Sequence, residues 1–137
     1  MTNADETRWK QRLASFDQAL LQLNKACAQD SYSNLERAGL IKTFEICFEL
    51  SWKVLKDLLF YEGYEEKSPR STIRRSFEAE YIDEQDCELL LEALEKRNIL
   101  SHTYQESTSI EAEGLIKERY HPALKRLHKT LSTRTHQ

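Results

Sequence analysis

Glycine and proline are scarce in this chain: three glycines and two prolines in 137 residues, against usual shares of about 7% and 5%. Sheet proteins need turn residues every few positions, so the shortage argues against an all-β fold. Valine occurs once, at Val54, while leucine is abundant. β-Branched residues suit strands, whereas Leu, Glu, Lys and Ala suit helices. Gly39, Gly63 and Gly114 stand too far apart for a phosphate loop or a dinucleotide fingerprint. The three cysteines, Cys27, Cys47 and Cys87, are odd in number and widely spaced. They read as small buried hydrophobes in a reducing cytosol. Paired Cys or His at short spacing, which a zinc site needs, is missing. No cofactor and no metal are expected. No run approaches the roughly 18 apolar residues of a membrane span. Residues 1–10 are polar and charged, without the apolar core of a signal peptide. A cytoplasmic protein that does not meet the membrane is the expectation.

What is present points to helices. Charged residues make up 31% of the chain and hydrophobic ones 39%, the balance of a soluble globular protein. The length suits one domain over residues 1–137. Trp9, Leu13, Phe16, Leu20, Leu23 and Cys27 recur at spacings of three and four, which predicts a one-sided helix over 6–29. Ser33 with Glu36 three residues on forms a capping box that opens a second helix, and Gly63 closes it. Its main stripe is Ile41, Phe44, Phe48, Trp52, Leu55 and Leu59. A second apolar set, Ile46, Leu50, Val54 and Tyr61, must be buried by another helix of the same chain or by a second subunit.

Ser68 and Pro69 restart the chain with a short helix to about residue 80, carrying Ile73 and Phe77. Asp83 then caps a fourth helix from about residue 84 to beyond 100, with the stripe Cys87, Leu90, Leu91 and Leu94. A last helix starts near Thr108 or Ser109 and carries Ile116, Tyr120, Ala123, Leu124, Leu127 and Leu131; Pro122 should kink or split it. The tail after Ser132 is expected to fray. The expected fold is all-α: a four-helix up-and-down bundle with an additional short helix.

The net charge of −3 conceals an uneven distribution. Residues 78–95 hold eight acids and no Lys or Arg, and residues 117–137 hold six bases against one acid. Arg70, Arg74 and Arg75 form another basic group. Charged faces are usually just solvated. The functional reading is that the bases collect phosphates while the acids avoid them or meet a basic partner.

The pattern breaks where the leucine stripe of the fourth helix ends. At about 100° per residue, the positions after Leu94 that face inward are Arg97, Asn98 and Ser101, and His102 and Tyr104 follow on the same side. Buried polar groups cost about 1–3 kcal/mol each unless satisfied. Three readings stand. The cluster is a structural network, with Arg97 paired to an acid such as Glu45 or Glu49. Alternatively, the helix ends near Leu100 and the cluster is a polar loop. In the third reading it performs chemistry. His102 can exchange protons near neutrality. Arg97 offers a planar fork to phosphate oxygens. Asn98 can orient the imidazole or donate to an oxyanion. That set fits metal-free RNA cleavage, in which the ribose 2′-hydroxyl attacks the adjacent phosphate. A symmetric dimer would add a second acid or base and a second cation.

At these residues the sequence resembles a known family. Arg97-x4-His102-x-Tyr104 matches the R-x4-H-x-Y motif of HEPN-domain toxins, and the chain resembles their HepT-like subgroup, also called nucleotidyltransferase substrate-binding proteins. Phe48-Glu49-Leu50-Ser51-Trp52-Lys53 with Leu55-Lys56-Asp57 is similar to the family's second helix, and Ser68-Pro69-Arg70 to its inter-helix turn. Arg8-Trp9-Lys10-Gln11-Arg12-Leu13 and Tyr120-His121-Pro122-Ala123-Leu124 also fit. The resemblance implies a helical homodimer with two motifs in a shared cleft. It implies a metal-independent ribonuclease toxin, neutralised by a cognate minimal nucleotidyltransferase that transfers AMP to the motif tyrosine. Arg97 and His102 would then be catalytic, Asn98 supportive and Tyr104 the AMP acceptor. The other reading is a non-catalytic subunit that presents a nucleotide or substrate to a two-chain nucleotidyltransferase. Contact of RNA with Arg70, Arg74 and Arg75 is an expectation from charge alone.

Overall fold

The stripe that begins at Trp9 folds as helix α1, Asn3–Cys27, with Trp9, Leu13, Phe16, Leu20 and Leu23 all buried. Helix α2 spans Asn34–Tyr61, α3 Pro69–Glu78, α4 Glu84–Ser101, α5 Glu106–Leu115 and α6 His121–Arg134. A π-helical segment, Ile116–Tyr120, joins α5 to α6 without a break. The computed structural model describes residues 3–101 and 106–135, with side chains for residues 4–97 and 106–135. Among the described residues there is no strand, and no helix is long and apolar enough to cross a membrane.

The helix boundaries follow from capping chemistry. Ser33 Oγ accepts from the Glu36 N–H at 3.1 Å, and Glu36 Oε1 accepts from the Ser33 N–H at 2.8 Å, so the capping box forms as read. Ser68 Oγ accepts from the Ser71 N–H, with Pro69 in the first turn of α3. Asp83 Oδ1 accepts from the Asp86 N–H at 2.8 Å and opens α4. At the end of α2, Gly63 takes φ of 101°. The Tyr64 N–H reaches back to Leu59 O and the Gly63 N–H to Phe60 O, the two bonds of a Schellman motif. The end of α3 repeats the device with no glycine: Glu80 takes φ of 66°, Tyr81 N–H bonds Ser76 O and Glu80 N–H bonds Phe77 O.

Packing places α1 along α2, α3 against both α2 and α4, and α6 against α1. One continuous apolar core collects Phe16 and Leu23, Phe44, Phe48 and Leu55, Ile73, Leu90, and Ile116, Tyr120 and Leu124. Two histidines set the register of α6 on α1. His121 Nε2 lies 2.6 Å from Asn24 Oδ1, and His128 Nε2 lies 2.9 Å from Asp17 Oδ1, about two turns away on both helices. Arg37, nearly buried, donates to Glu113, Asn34 and the Tyr32 carbonyl, which ties the start of α2 to α5.

Several expectations change in detail. The second apolar set of α2 is partly used by its own chain: Val54 is fully buried, Leu50 and Tyr61 pack against the core, and Ile46 is exposed. In α3, Ile73 is buried while Phe77 is exposed, because so short a helix turns only one narrow face inward. The disturbance at Pro122 takes the form of the π segment. Proline lacks an N–H and its ring collides with the carbonyl four residues back. The backbone widens ahead of it, and the His121 N–H bonds Ile116 O, five residues earlier. Helix α6 then continues past Ser132 to Arg134, whose guanidinium pairs with Glu62 and lies over the Tyr81 ring.

The two charged segments answer each other. Asp86 accepts from Arg126 Nη2 at 2.7 Å and from its Nε, and Glu92 takes both Nε and Nη2 of Arg119 at 2.9 and 3.0 Å. Lys117 Nζ donates to the Gln29 carbonyl and sits over the Tyr32 ring. Two acids of the run on α4 are thus paired with two bases of the C-terminal segment within one chain.

Candidate functional site

Asp86, Leu90 and Ala93 form a buried line along α4. One turn after Ala93 that line reaches Arg97, which is 24% exposed. Arg97 Nη1 donates to Glu49 Oε2 on α2 at 2.7 Å. The guanidinium also sits 5.9 Å from the centroid of the Phe48 ring, which is fully buried. Two consecutive residues of α2 therefore hold the arginine, one through a π face and one through a carboxylate. The other oxygen of Glu49 lies 3.7 Å from Lys53 Nζ, one turn further along α2. For pairs this exposed the ion-pair gain is about 0–1 kcal/mol, so Arg97 is placed here without being locked.

Of the readings for this cluster, the pairing of Arg97 with Glu49 is present, and α4 is described to Ser101, one residue past the end that the loop reading gives it. Asn98 lies in α4, directly after Arg97, with its side chain outside the described residues. His102 and Tyr104 lie outside the described residues.

The support behind Arg97 is aromatic. Phe48 meets Phe44 at 6.0 Å between centroids, and Phe44 stacks on Tyr120 at 5.6 Å with planes 25° apart. Tyr120 Oη donates to Glu92 Oε2 at 2.7 Å, alongside the Arg119 fork. Hydrogen bonds from Arg119 and then Tyr120 hold the Glu92 carboxyl below the ordinary carboxylate range. Burial, with Glu92 beside it, pushes the Tyr120 phenol well above its usual value. A path of contacts thus runs from Arg97 through Phe48, Phe44 and Tyr120 back to α4 at Glu92. The sequence reading missed this brace. Tyr120 stood out only as a stripe residue and as part of the segment around Pro122, and Arg119 only as one base of the C-terminal run.

Arg70, Arg74 and Arg75 lie together at a surface hollow of about 300 Å³ shared with Ser68, Ser71, Glu66 and Glu78. Arg70 Nη2 is 3.6 Å from Glu95, and Arg75 reaches Glu66 at 3.3 Å and Glu78 at 3.1 Å, with its guanidinium over the Tyr64 ring. Arg74 is exposed. Glu95 and Arg97 are two positions apart on α4 and point to nearly opposite sides of it at about 100° per residue. The structure therefore does not bring Arg70 beside Arg97.

The cysteines are poor nucleophiles. Burial pushes the Cys47 thiol up to about 12 and the Cys27 thiol up to about 11, and Cys87 is raised as well. Among the described residues, no three His, Cys, Asp or Glu side chains stand together as a metal site.

An all-helical protein whose fourth helix carries a braced arginine in its last turns is the class these features define. Residues 11–133 match the family described as nucleotidyltransferase substrate binding protein like, and the chain belongs to that family. No curated protein matches it. Among solved structures it is similar to a protein of Thermus thermophilus, with 29% identity and a TM-score of 0.74, over 87% of this chain and 97% of that one. It is also similar in fold to a tri-AMPylated Shewanella oneidensis HEPN toxin solved in complex with an MNT antitoxin. There the TM-score is 0.73 and the identity 12%, over 97% of this chain and 99% of that one.

Proposed function

We propose that this chain is a metal-independent HEPN ribonuclease toxin, paired with a cognate minimal nucleotidyltransferase that neutralises it. The observation that carries the reading is the placement of Arg97. It lies one turn beyond buried Ala93 on α4, stays partly open to solvent, and begins Arg97-x4-His102-x-Tyr104. The likeness in fold to a HEPN toxin solved with an MNT antitoxin supports the same reading, and membership of the family supports the nucleotidyltransferase partner under either reading.

In the proposed reaction, His102 removes the proton of a ribose 2′-hydroxyl. The 2′-oxygen bonds to the adjacent phosphorus, the bond to the 5′-oxygen breaks, and that oxygen takes a proton. The products are a 2′,3′-cyclic phosphate and a 5′-hydroxyl. Arg97 stabilises the charge that builds on the non-bridging oxygens, and Asn98 orients the imidazole. One imidazole serves poorly as both base and acid, so the active form is a homodimer that sets two motifs together. Exposed Ile46 lies one turn before Glu49 on α2, and a dimer packed there would border Arg97. Within each protomer the helices form one domain, an up-and-down four-helix bundle with α3 as the additional short helix. Tyr104 is the AMP acceptor through which the nucleotidyltransferase silences the site, and Arg70, Arg74 and Arg75 add RNA contacts.

The second reading, a non-catalytic subunit that presents substrate to a nucleotidyltransferase, is favoured by one observation: Glu49 already occupies Arg97. Expression of the chain alone, with its neighbouring nucleotidyltransferase, and as His102→Ala separates the two. Growth arrest relieved by both the partner and the substitution supports the toxin. A stable complex with no arrest by the chain alone supports the subunit.

A further inference from the structure

Glu49 holds one of the donors that a phosphate on Arg97 would use. Its Oε2 is 2.7 Å from Arg97 Nη1, the length of a charge-assisted hydrogen bond. A phosphodiester oxygen would seek the same donor. Glu49 is not sealed in: its side chain is 39% exposed and that of Arg97 is 24% exposed. Lys53 Nζ already lies 3.7 Å from the second carboxylate oxygen. If Arg97 leaves, Glu49 keeps a cation.

We infer that Glu49 is a resting-state latch on Arg97, an internal carboxylate that competes with the phosphodiester for the guanidinium and hands over to Lys53 when RNA binds. This rests on the reading of Arg97 as a phosphate contact. Three features argue for a latch and not a fixed structural pair. The pair is partly solvated, and such pairs are weak enough to exchange. The Phe48 ring supports the guanidinium independently of Glu49, so the arginine keeps its place when the carboxylate swings away. Glu49 holds Arg97 through one terminal nitrogen, so a phosphate that takes two N–H groups in a fork gains a bond that the carboxylate does not make. The latch lowers affinity for any isolated phosphate and reserves Arg97 for ligands with further contacts.

The test is binding of a short labelled single-stranded oligoribonucleotide with 2′-O-methyl riboses, which cannot supply the attacking hydroxyl, followed by fluorescence anisotropy at low salt. Wild type, Glu49→Gln, Arg97→Ala and the double variant form a cycle. Removing one negative charge about 4 Å from the phosphate should tighten binding about fivefold in Glu49→Gln. In the Arg97→Ala background the same substitution should change nothing. Melting curves show whether each variant is folded. If Glu49→Gln melts, Glu49→Asp, one methylene too short for the 2.7 Å contact, should tighten binding in its place. Arg97-dependent binding that Glu49→Gln leaves unchanged or weakens overturns the latch alone. Equal tightening with and without Arg97 also overturns it, since the effect would then be a general field. Equal binding by wild type and Arg97→Ala overturns the RNA reading of Arg97 and the latch with it.

Discussion

Tyr120 donates its hydroxyl to Glu92 across 2.7 Å, and this bond ties the π segment to the middle of α4. Tyr120 is 1% exposed and stacks on Phe44, which itself meets Phe48 beneath Arg97. One residue therefore joins the C-terminal helix, α2 and α4. Its hydroxyl and its ring do separate jobs. Tyr120→Phe keeps the stack and loses one hydrogen bond to a charged, partly exposed acceptor, so it should destabilise by about 1.5 kcal/mol, the low end for such bonds. Tyr120→Leu loses the stack and leaves a void, and should destabilise by about 3 kcal/mol or more. Urea unfolding of the two variants checks the order; equal losses would contradict the division.

The two Schellman ends respond in opposite directions. Glu80 carries a Cβ at φ of 66°, a left-handed conformation that favours glycine. Glu80→Gly relieves that strain and adds chain entropy to the unfolded state, for a net gain of about 0.5 kcal/mol. Gly63→Ala imposes the same strain on a residue at φ of 101° and should destabilise by about 1 kcal/mol. No atom lies within 4 Å of the added methyl, so the loss is backbone strain and not a clash. Thermal melts of the pair should shift in opposite senses.

His121 makes stability depend on pH. Burial, aided by the charge of Lys125, lowers its pKa below the ordinary value of 6.5. Below that value the unfolded chain takes up a proton that the folded chain refuses, so the contribution of His121 is present above 6.5 and is lost as the pH falls. His121→Gln can still donate to Asn24 and does not titrate. The stability difference between wild type and His121→Gln should therefore move against wild type from about pH 7.5 to about pH 5. A difference that stays constant over that window would contradict the assignment.

Much of the fold was legible because local chemistry and long-range packing agree. Ser33, Ser68, Asp83 and Gly63 sit at helix ends for reasons that need no tertiary information. The stripes of α1 and α2 are buried as periodicity requires, except that Cys27 at the end of α1 is half-buried. What was not legible depends on which helices become neighbours. Glu80 occupies a glycine position without being glycine, and nothing in its type announces this. Asp86 and Glu92 read as a solvated acidic run until the C-terminal helix lies beside them with Arg126 and Arg119. Phe77 fitted a stripe on a helix too short to bury both ends of it.

The candidate site divides in the same way. Arg97 was found because a polar residue interrupts an apolar line, and its pairing with Glu49 was among the alternatives. The brace through Phe48, Phe44 and Tyr120 was hidden, since buried aromatics on a stripe look alike whether or not they stand under an arginine.

Cleavage of a defined single-stranded oligoribonucleotide by purified protein in the presence of a chelator tests the central claim most directly, with the product ends identified by mass. Wild type should release 2′,3′-cyclic phosphate and 5′-hydroxyl ends. Arg97→Ala should be slower by about 10²–10³-fold, and His102→Ala by about 10²–10⁴-fold. Both variants should stay folded. Intact RNA with wild type, or equal cleavage by all three proteins, would contradict the account.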